Sequence, residues 1–185
     1  MKYKNKSIQI ACDGGAATGK STGAKMIAQK FKLKYLSSGL LYRYASYSIL
    51  KKNPKNQIFF LRKIFKNLNI KKLNRINLHS PDISKHAAII AKIGKVRIIL
   101  KKFQKNFSKK NKNCCIEGRD IATKILPNSE IKFFFRCNLE IAALRRFREL
   151  KKNNPGIKLE DVKKSIRIRN FLDTKRKNSP LLRHR

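Results

Sequence analysis

A chain of 185 residues, 41 % of them hydrophobic, is long enough to bury a real core and too apolar for wholesale disorder. Its 47 Lys and Arg against 10 Asp and Glu give a net charge of +37, carried by every segment and accompanied by abundant Asn and Ile, as A/T-biased codons produce. Charge spread in this way predicts a solvated basic surface with non-specific, salt-labile attraction to polyanions, not a dedicated stripe for one nucleic acid.

The N-terminal stretch "MKYKNKSIQIACDGG" is too short in apolar residues for a signal peptide, and no run of about 18 apolar residues follows anywhere. A soluble, cytoplasmic protein without a membrane partner is expected. "SIQIAC" (7–12) reads as a buried strand entering the turn Asp13-Gly14-Gly15. From Lys20 the apolar residues Ala24, Ile27, Ala28 and Phe31 recur at helical spacing. Between strand and helix stands G-x-x-x-x-G-K-S, beginning at Gly14. In this context the loop reads as a phosphate cradle: backbone N–H groups of Gly14, Gly15, Ala16, Ala17, Thr18, Gly19, Lys20, Ser21 and Thr22 face an anion at a helix N-terminus. Lys20 supplies a charge for the β- and γ-phosphates, and Ser21 a hydroxyl for Mg²⁺. Ala17 fits such a loop without strain only at negative φ.

"KLKYLSSG" (32–39) reads as a second strand and "LLYRYASYSILKK" (40–52) as a helix. A further helix covers 56–68, with Ile58, Leu61, Ile64, Phe65 and Leu68 along one side, and Phe59-Phe60 reads as core. Residues 69–79 are ambiguous, "INLH" being compatible with a short strand. Ser80 and Pro81 open the next helix as N-cap and first residue, and a longer one spans roughly 94–109. "CCIEG" (114–118) and "IKFFFRC" (131–137) read as core strands, the second too apolar to face water on either side. Helices over 138–152 and 159–177 follow, separated by the turn "NNPGIK". Cys12, Cys114, Cys115 and Cys137 form no C-x-x-C pair and do not cluster with His79, His86 or His184; buried reduced thiols are expected. Alternating strands and helices predict an α/β fold with a parallel sheet flanked by helices.

Two stretches beside the loop strand carry polar chemistry. "SSGLLYR" puts Ser38, Tyr42 and Arg43 at a strand end and in the first turns of the helix that follows, and "EGRD" puts Glu117, Arg119 and Asp120 at another strand end. In a parallel sheet that edge binds ligands. Together with "DGGAATGKST", "VRIILKKFQKNF", "RRFREL" and "RIRNFLDTKRKNSPL", in this order and spacing, the chain from Ile8 to about Leu182 resembles the bacterial cytidylate kinases. The resemblance implies a P-loop nucleoside monophosphate kinase fold and phosphoryl transfer from ATP, with Mg²⁺, to CMP or dCMP by a monomer. It also implies a core at about 7–43 and 111–185, a short monophosphate-binding insertion at about 44–110, and a helical lid at about 145–177. By matching position, Arg43 and Arg119 clamp the acceptor phosphate, Asp120 contacts cytosine, and Arg169 and Asp173 hold the ribose. Arg145 and Arg146 are lid arginines near the donor phosphates, and Arg176 joins the same basic helix; with Lys20, the arginines Arg119, Arg145, Arg169 and Arg176 would carry catalysis. Ser38 and Tyr42 complete the acceptor site.

This chain departs from the family pattern at several places. Gly15 stands at a usual proline, Ala17 at a usual glycine, Lys105 at a cytosine-contacting arginine, Ala88 at a frequent serine and Asn170 at an aspartate. The segment from Arg43 to Val96 leaves little room for a three-stranded insertion sheet. The strand and helix that usually follow "SPL" are not represented, so an uncovered sheet edge is expected. Two other readings stay open on the residues alone: a shikimate- or gluconate-type small-molecule kinase, and a non-enzymatic basic P-loop protein binding RNA. The former would want a carboxylate base near the loop, which "SSGLLYR" lacks.

Overall fold

The computed structural model describes residues 7–152 and 154–184; residues 1–6, part of the N-terminal stretch read for a leader, and Asn153 of the turn lie outside them. The chain forms two compact units, Met1–Tyr35 with Asn113–Arg185, and Leu36–Lys112.

The first unit carries the sheet, across which run, in order, β2 (Lys34–Ser37), β3 (Cys114–Gly118), β1 (Gln9–Gly14) and β4 (Ile131–Phe135). Strand β1 lies between β3 and β4 and pairs parallel with both. Strand β2 enters the sheet with Lys34, whose N–H donates to the Asn113 carbonyl at 3.0 Å. Helix α1 (Lys20–Lys30) turns its small side chains, Ala24 and Ala28, onto Ile10, Cys12 and Cys115, closing one face of the sheet. Two further helices, α6 (Leu139–Lys151) and α7 (Leu159–Lys175), join through Ala142, Ala143, Val162 and Ile166. Asn138 caps α6 by accepting the Glu140 N–H at 2.8 Å.

The second unit is helical among its described residues beyond β2: α2 (Ser38–Lys52), α3 (Gln57–Lys66), α4 (Pro81–Ile90) and α5 (Gly94–Lys110). Ser80 caps α4 as its sequence predicts, accepting the Ile83 N–H at 3.3 Å. Leu61 and Phe65 are buried on α3, and Phe65 meets Tyr44 and Phe103 edge-on at 5.9 and 5.6 Å.

Four expectations are corrected. The second strand ends at Ser37, because the Ser37 hydroxyl accepts the Leu40 N–H and Ser38-Gly39 become the first turn of α2. "INLH" makes no strand; a 3₁₀ turn at Ile70–Arg75 precedes it. Strand β4 is shorter than read and lies at the sheet edge, leaving Ile131 and Phe133 39 % and 40 % exposed, so the fully buried setting expected of it is not met. Phe59, read as core, is 68 % exposed, since the buried stripe of α3 runs through Leu61 and Phe65 instead. A five-residue π turn at Ile121–Ile125, which no periodicity announces, follows β3. Cys12, Cys114 and Cys115 are buried, as expected, and Cys137 is half-buried. No helix among the described residues is long and apolar enough to cross a membrane.

Candidate active site

The loop between β1 and α1 is shaped by two glycines. A Cβ on Gly14 would stand 2.5 Å from the Phe135 carbonyl oxygen of the neighbouring strand, so only glycine lets β4 approach there. Gly19 adopts φ 82° as the N-cap of α1, a left-handed conformation that costs other residues about 1 kcal/mol or more. Ala17 also sits at φ 55°, contrary to the negative φ expected of an alanine. Its position is held from α6, where the Arg145 guanidinium donates to the Ala17 carbonyl. Replacing Ala17 with glycine relieves the left-handed strain but gives up part of a half-buried methyl. The net gain is on the order of 0.5 kcal/mol. Thermal unfolding of Ala17→Gly should shift up by about 1–2 °C; a lowered midpoint would mean that methyl packing dominates.

Lys20 opens α1 and is 7 % exposed. Its ammonium pairs with the Glu117 carboxylate, which also accepts the Ser21 hydroxyl at 3.1 Å and the Tyr35 hydroxyl at 3.5 Å. The register of β1 on β3 sets Glu117 opposite Cys12 and Gly118 opposite Asp13, so loop and carboxylate meet at one strand edge. Burial pushes the Lys20 ammonium below its ordinary value, and Glu117 pulls it back up. Sequence reasoning put Glu117 on this edge but gave it no role. The available signal was a carboxylate in the strand beside the loop strand, two residues before Arg119.

Asp13 is the second missed carboxylate. It is 1 % exposed and accepts the N–H groups of Ile121 and Ala122 at 2.8 and 2.7 Å, tying β1 to the π turn. Burial pushes its pKa from the ordinary 3.8 up to about 6, against the pull of those two hydrogen bonds. The folded state therefore holds this proton more tightly than the unfolded chain. The stabilisation it brings is complete below pH 4 and lost as pH rises through about 6. Unfolding free energies of wild type and Asp13→Asn, compared from pH 4 to 7, should show the wild-type advantage falling by about 2 kcal/mol; a pH-independent difference would refute the shift.

On the loop after β3, Arg119 Nε donates to Asp173 Oδ2 at 2.7 Å. Arg176 Nη1 reaches the other Asp173 oxygen at 3.3 Å, and its Nη2 stands 4.0 Å from Asp120 Oδ1. Arg176 is further fixed by the Ser179 carbonyl, 2.5 Å from Nε, and the Leu181 N–H closes onto the Asp173 carbonyl at 2.8 Å. Two arginines and two carboxylates from distant parts of the sequence are thus brought together. Arg169 lies exposed on α7, one turn before Asp173. Of the two arginines expected of a lid, Arg145 reaches the loop, while Arg146 pairs with Glu149 at 2.8 Å on the surface. The Ala16 N–H of the loop donates to Asn170 Oδ1 at 2.7 Å.

In the second unit, Ser38 is buried at the start of α2. Arg43 bonds the His79 ring nitrogen Nδ1, and the Arg97 guanidinium stacks 5.9 Å from the Tyr42 ring centre. Lys105 lies on α5 eight residues beyond Arg97, about 12 Å further along the helix. Arg97 was not singled out from the sequence; it stands within the quoted stretch "VRIILKKFQKNF".

The cytidylate kinase family model matches residues 10–185. A cytidylate kinase of Caldanaerobacter subterraneus subsp. tengcongensis is 34 % identical over 188 residues, covering 96 % of this chain and 84 % of its own. One from Clostridium botulinum strain Hall is 36 % identical over 186 residues, covering 94 % and 85 %. One from Fusobacterium nucleatum is 34 % identical, covering 95 % and 85 %. A match of this extent, on a parallel sheet whose first strand runs into a phosphate loop, has one meaning: this chain belongs to the cytidylate kinase family.

Proposed function

We propose that this protein transfers the γ-phosphoryl group of ATP to CMP or dCMP, giving ADP and CDP or dCDP. The observation that carries the reading is the buried Lys20–Glu117 pair at the phosphate loop, joined by the Ser21 hydroxyl, with Arg119 and Asp120 on the loop that follows the same strand as Glu117. The relatives' names, cytidylate kinase, add the acceptor.

The nucleophile in this reaction is a phosphate oxygen that is already ionised at neutral pH, so no general base is needed. Catalysis is alignment of two polyanions and neutralisation of the charge that builds between them. Lys20 and the loop N–H groups other than that of Ala16, which Asn170 holds, bind the donor phosphates, and Arg145, already on the loop at Ala17, stands ready to neutralise them. Arg119 and Arg176, joined through Asp173, present guanidinium groups to the acceptor phosphate. Asp120 offers a carboxylate to the exocyclic amine that distinguishes cytosine from uracil. Arg169 and Asp173 hold the ribose in this reading, and Ser38, Tyr42, Arg43 and Lys105 retain the acceptor roles their positions imply. We add Arg97 to them on account of its stacking on Tyr42.

The donor set fits Mg²⁺. The Ser21 hydroxyl and Glu117 carboxylate are hard oxygen ligands 3.1 Å apart. Ser21 and Glu117 would hold the ion, which when bound would supply positive charge to neutralise the donor phosphates. In this reading the protein acts as a monomer in the cytoplasm, without a specific nucleic-acid or membrane partner. A panel of CMP, dCMP, UMP and AMP with ATP and Mg²⁺ tests the assignment. CDP and dCDP should form fastest, and a preference for AMP, or no transfer to any of the four, would overturn it.

A further inference from the structure

One face of α7 carries the buried Val162 and Ile166 and then the half-buried Asn170 and Asp173, spaced at helical intervals. Its first two members seat the helix on α6 and on the loop itself, since Ala16 is buried in the same cluster as Ala142, Ala143, Val162 and Ile166. Asp173, at the far end, joins Arg119 and Arg176. Asn170 lies between them and accepts the Ala16 N–H at 2.7 Å. The fit is close: a Cβ on Gly15 would stand 2.9 Å from the Asn170 carboxamide oxygen, so the bare backbone of Gly15 is what admits this side chain to the loop.

We propose that Asn170 is a positioning residue that registers the arginine–carboxylate cluster of α7 against the phosphate loop, so that donor and acceptor binding are coupled through it. The inference rests on the functional reading above and assigns to Asn170 a role that its position as a departure from the family pattern does not. A loop ordered by the donor triphosphate holds its Ala16 N–H in place. Asn170 passes that order to Asp173, three residues along the same face, and with it to Arg119 and Arg176. Ordering once serves both ligands, which is positive coupling without any contact between Asn170 and either nucleotide.

The test is calorimetric titration of CMP into wild type, Asn170→Ala and Asn170→Asp, each with and without a non-hydrolysable ATP analogue and Mg²⁺. In wild type the analogue should tighten CMP binding about fivefold. In Asn170→Ala that enhancement should fall below twofold while the CMP affinity without the analogue stays within about threefold of wild type. Asn170→Asp keeps an oxygen for the Ala16 N–H and should restore most of the enhancement. No enhancement in wild type, an undiminished one in Asn170→Ala, or no rescue by Asn170→Asp overturns the proposal. A merely structural role would instead lower both affinities and the unfolding midpoint together, which also overturns it. Wild type that shows the enhancement but forms no CDP overturns the activity reading and leaves the coupling through Asn170 supported.

Discussion

Lys20→Ala is expected to reduce CDP formation by at least about a thousandfold while CMP still binds. The lysine does two things at once. In the loaded enzyme its ammonium meets phosphate charge that grows toward the transition state, and a lost donor of this kind costs roughly 10²–10³ in turnover even when it is neutral. In the nucleotide-free protein it neutralises Glu117, whose side chain is only 4 % exposed. Alanine leaves that carboxylate buried and uncompensated, a loss of about 3–5 kcal/mol for a broken buried pair. The single variant therefore confounds catalysis with stability. Lys20→Ala/Glu117→Gln separates them, because the neutral amide removes the orphaned charge and keeps a partner for the Ser21 hydroxyl. The double variant should regain most of the unfolding free energy and none of the activity. Turnover of Lys20→Ala near the wild-type value would refute the donor-site assignment outright. Recovery of activity in the double variant would mean that the lysine serves only to neutralise Glu117.

What could be read from the sequence was local. The switch from a short apolar run to helical spacing across a glycine loop fixes β1, the loop and α1 without knowledge of anything else in the chain. The same is true of the Ser80-Pro81 helix start. Strand β4 shows where this stops: three consecutive phenylalanines state that a strand is apolar, not which neighbour it has, and only the pairing order makes it an edge. The sign of φ at Ala17 was equally out of reach, because its carbonyl is held by Arg145 and its side chain packs on the α6–α7 cluster, both far along the chain. Glu117, Asp13 and Asn170 were visible as residues but not as partners. Their contacts join positions 97, 108 and 154 residues apart, and no spacing rule spans such distances. The stretches that carry the resemblance, "EGRD" and "R-N-F-L-D-T-K-R", are each contiguous and so legible as motifs; that Asp173 lies between Arg119 and Arg176 joins residues 54 positions apart and is not.

That pairing makes Arg119→Lys the second severe substitution, with kcat/KM for CMP expected to fall more than tenfold. The charge is unchanged, so the loss measures geometry. Arg119 spends its Nε on Asp173 at 2.7 Å and turns an Nη toward the Gly118 carbonyl at 3.4 Å, which fixes the plane of the guanidinium. A planar fork anchored by one edge can still present its remaining N–H groups to two oxygens of a phosphate. A lysine ammonium is a single point: if it stays on Asp173 it no longer reaches the acceptor, and if it moves to the phosphate it releases Asp173. Either outcome costs about 1.4 kcal/mol or more of transition-state binding, the equivalent of that tenfold. Asp173→Asn decides between the two ways Arg119 could matter. If Arg119 acted only by holding Asp173, the two single variants would be equally impaired and the double variant no worse than either. If it grips the acceptor phosphate directly, Arg119→Lys is the more damaging single change, and adding Asp173→Asn lowers kcat/KM further. Because the side chain is 18 % exposed and keeps its charge, unfolding should change by less than about 1 kcal/mol. A kcat/KM within threefold of wild type would show that a point charge suffices, and would remove Arg119 from the acceptor clamp.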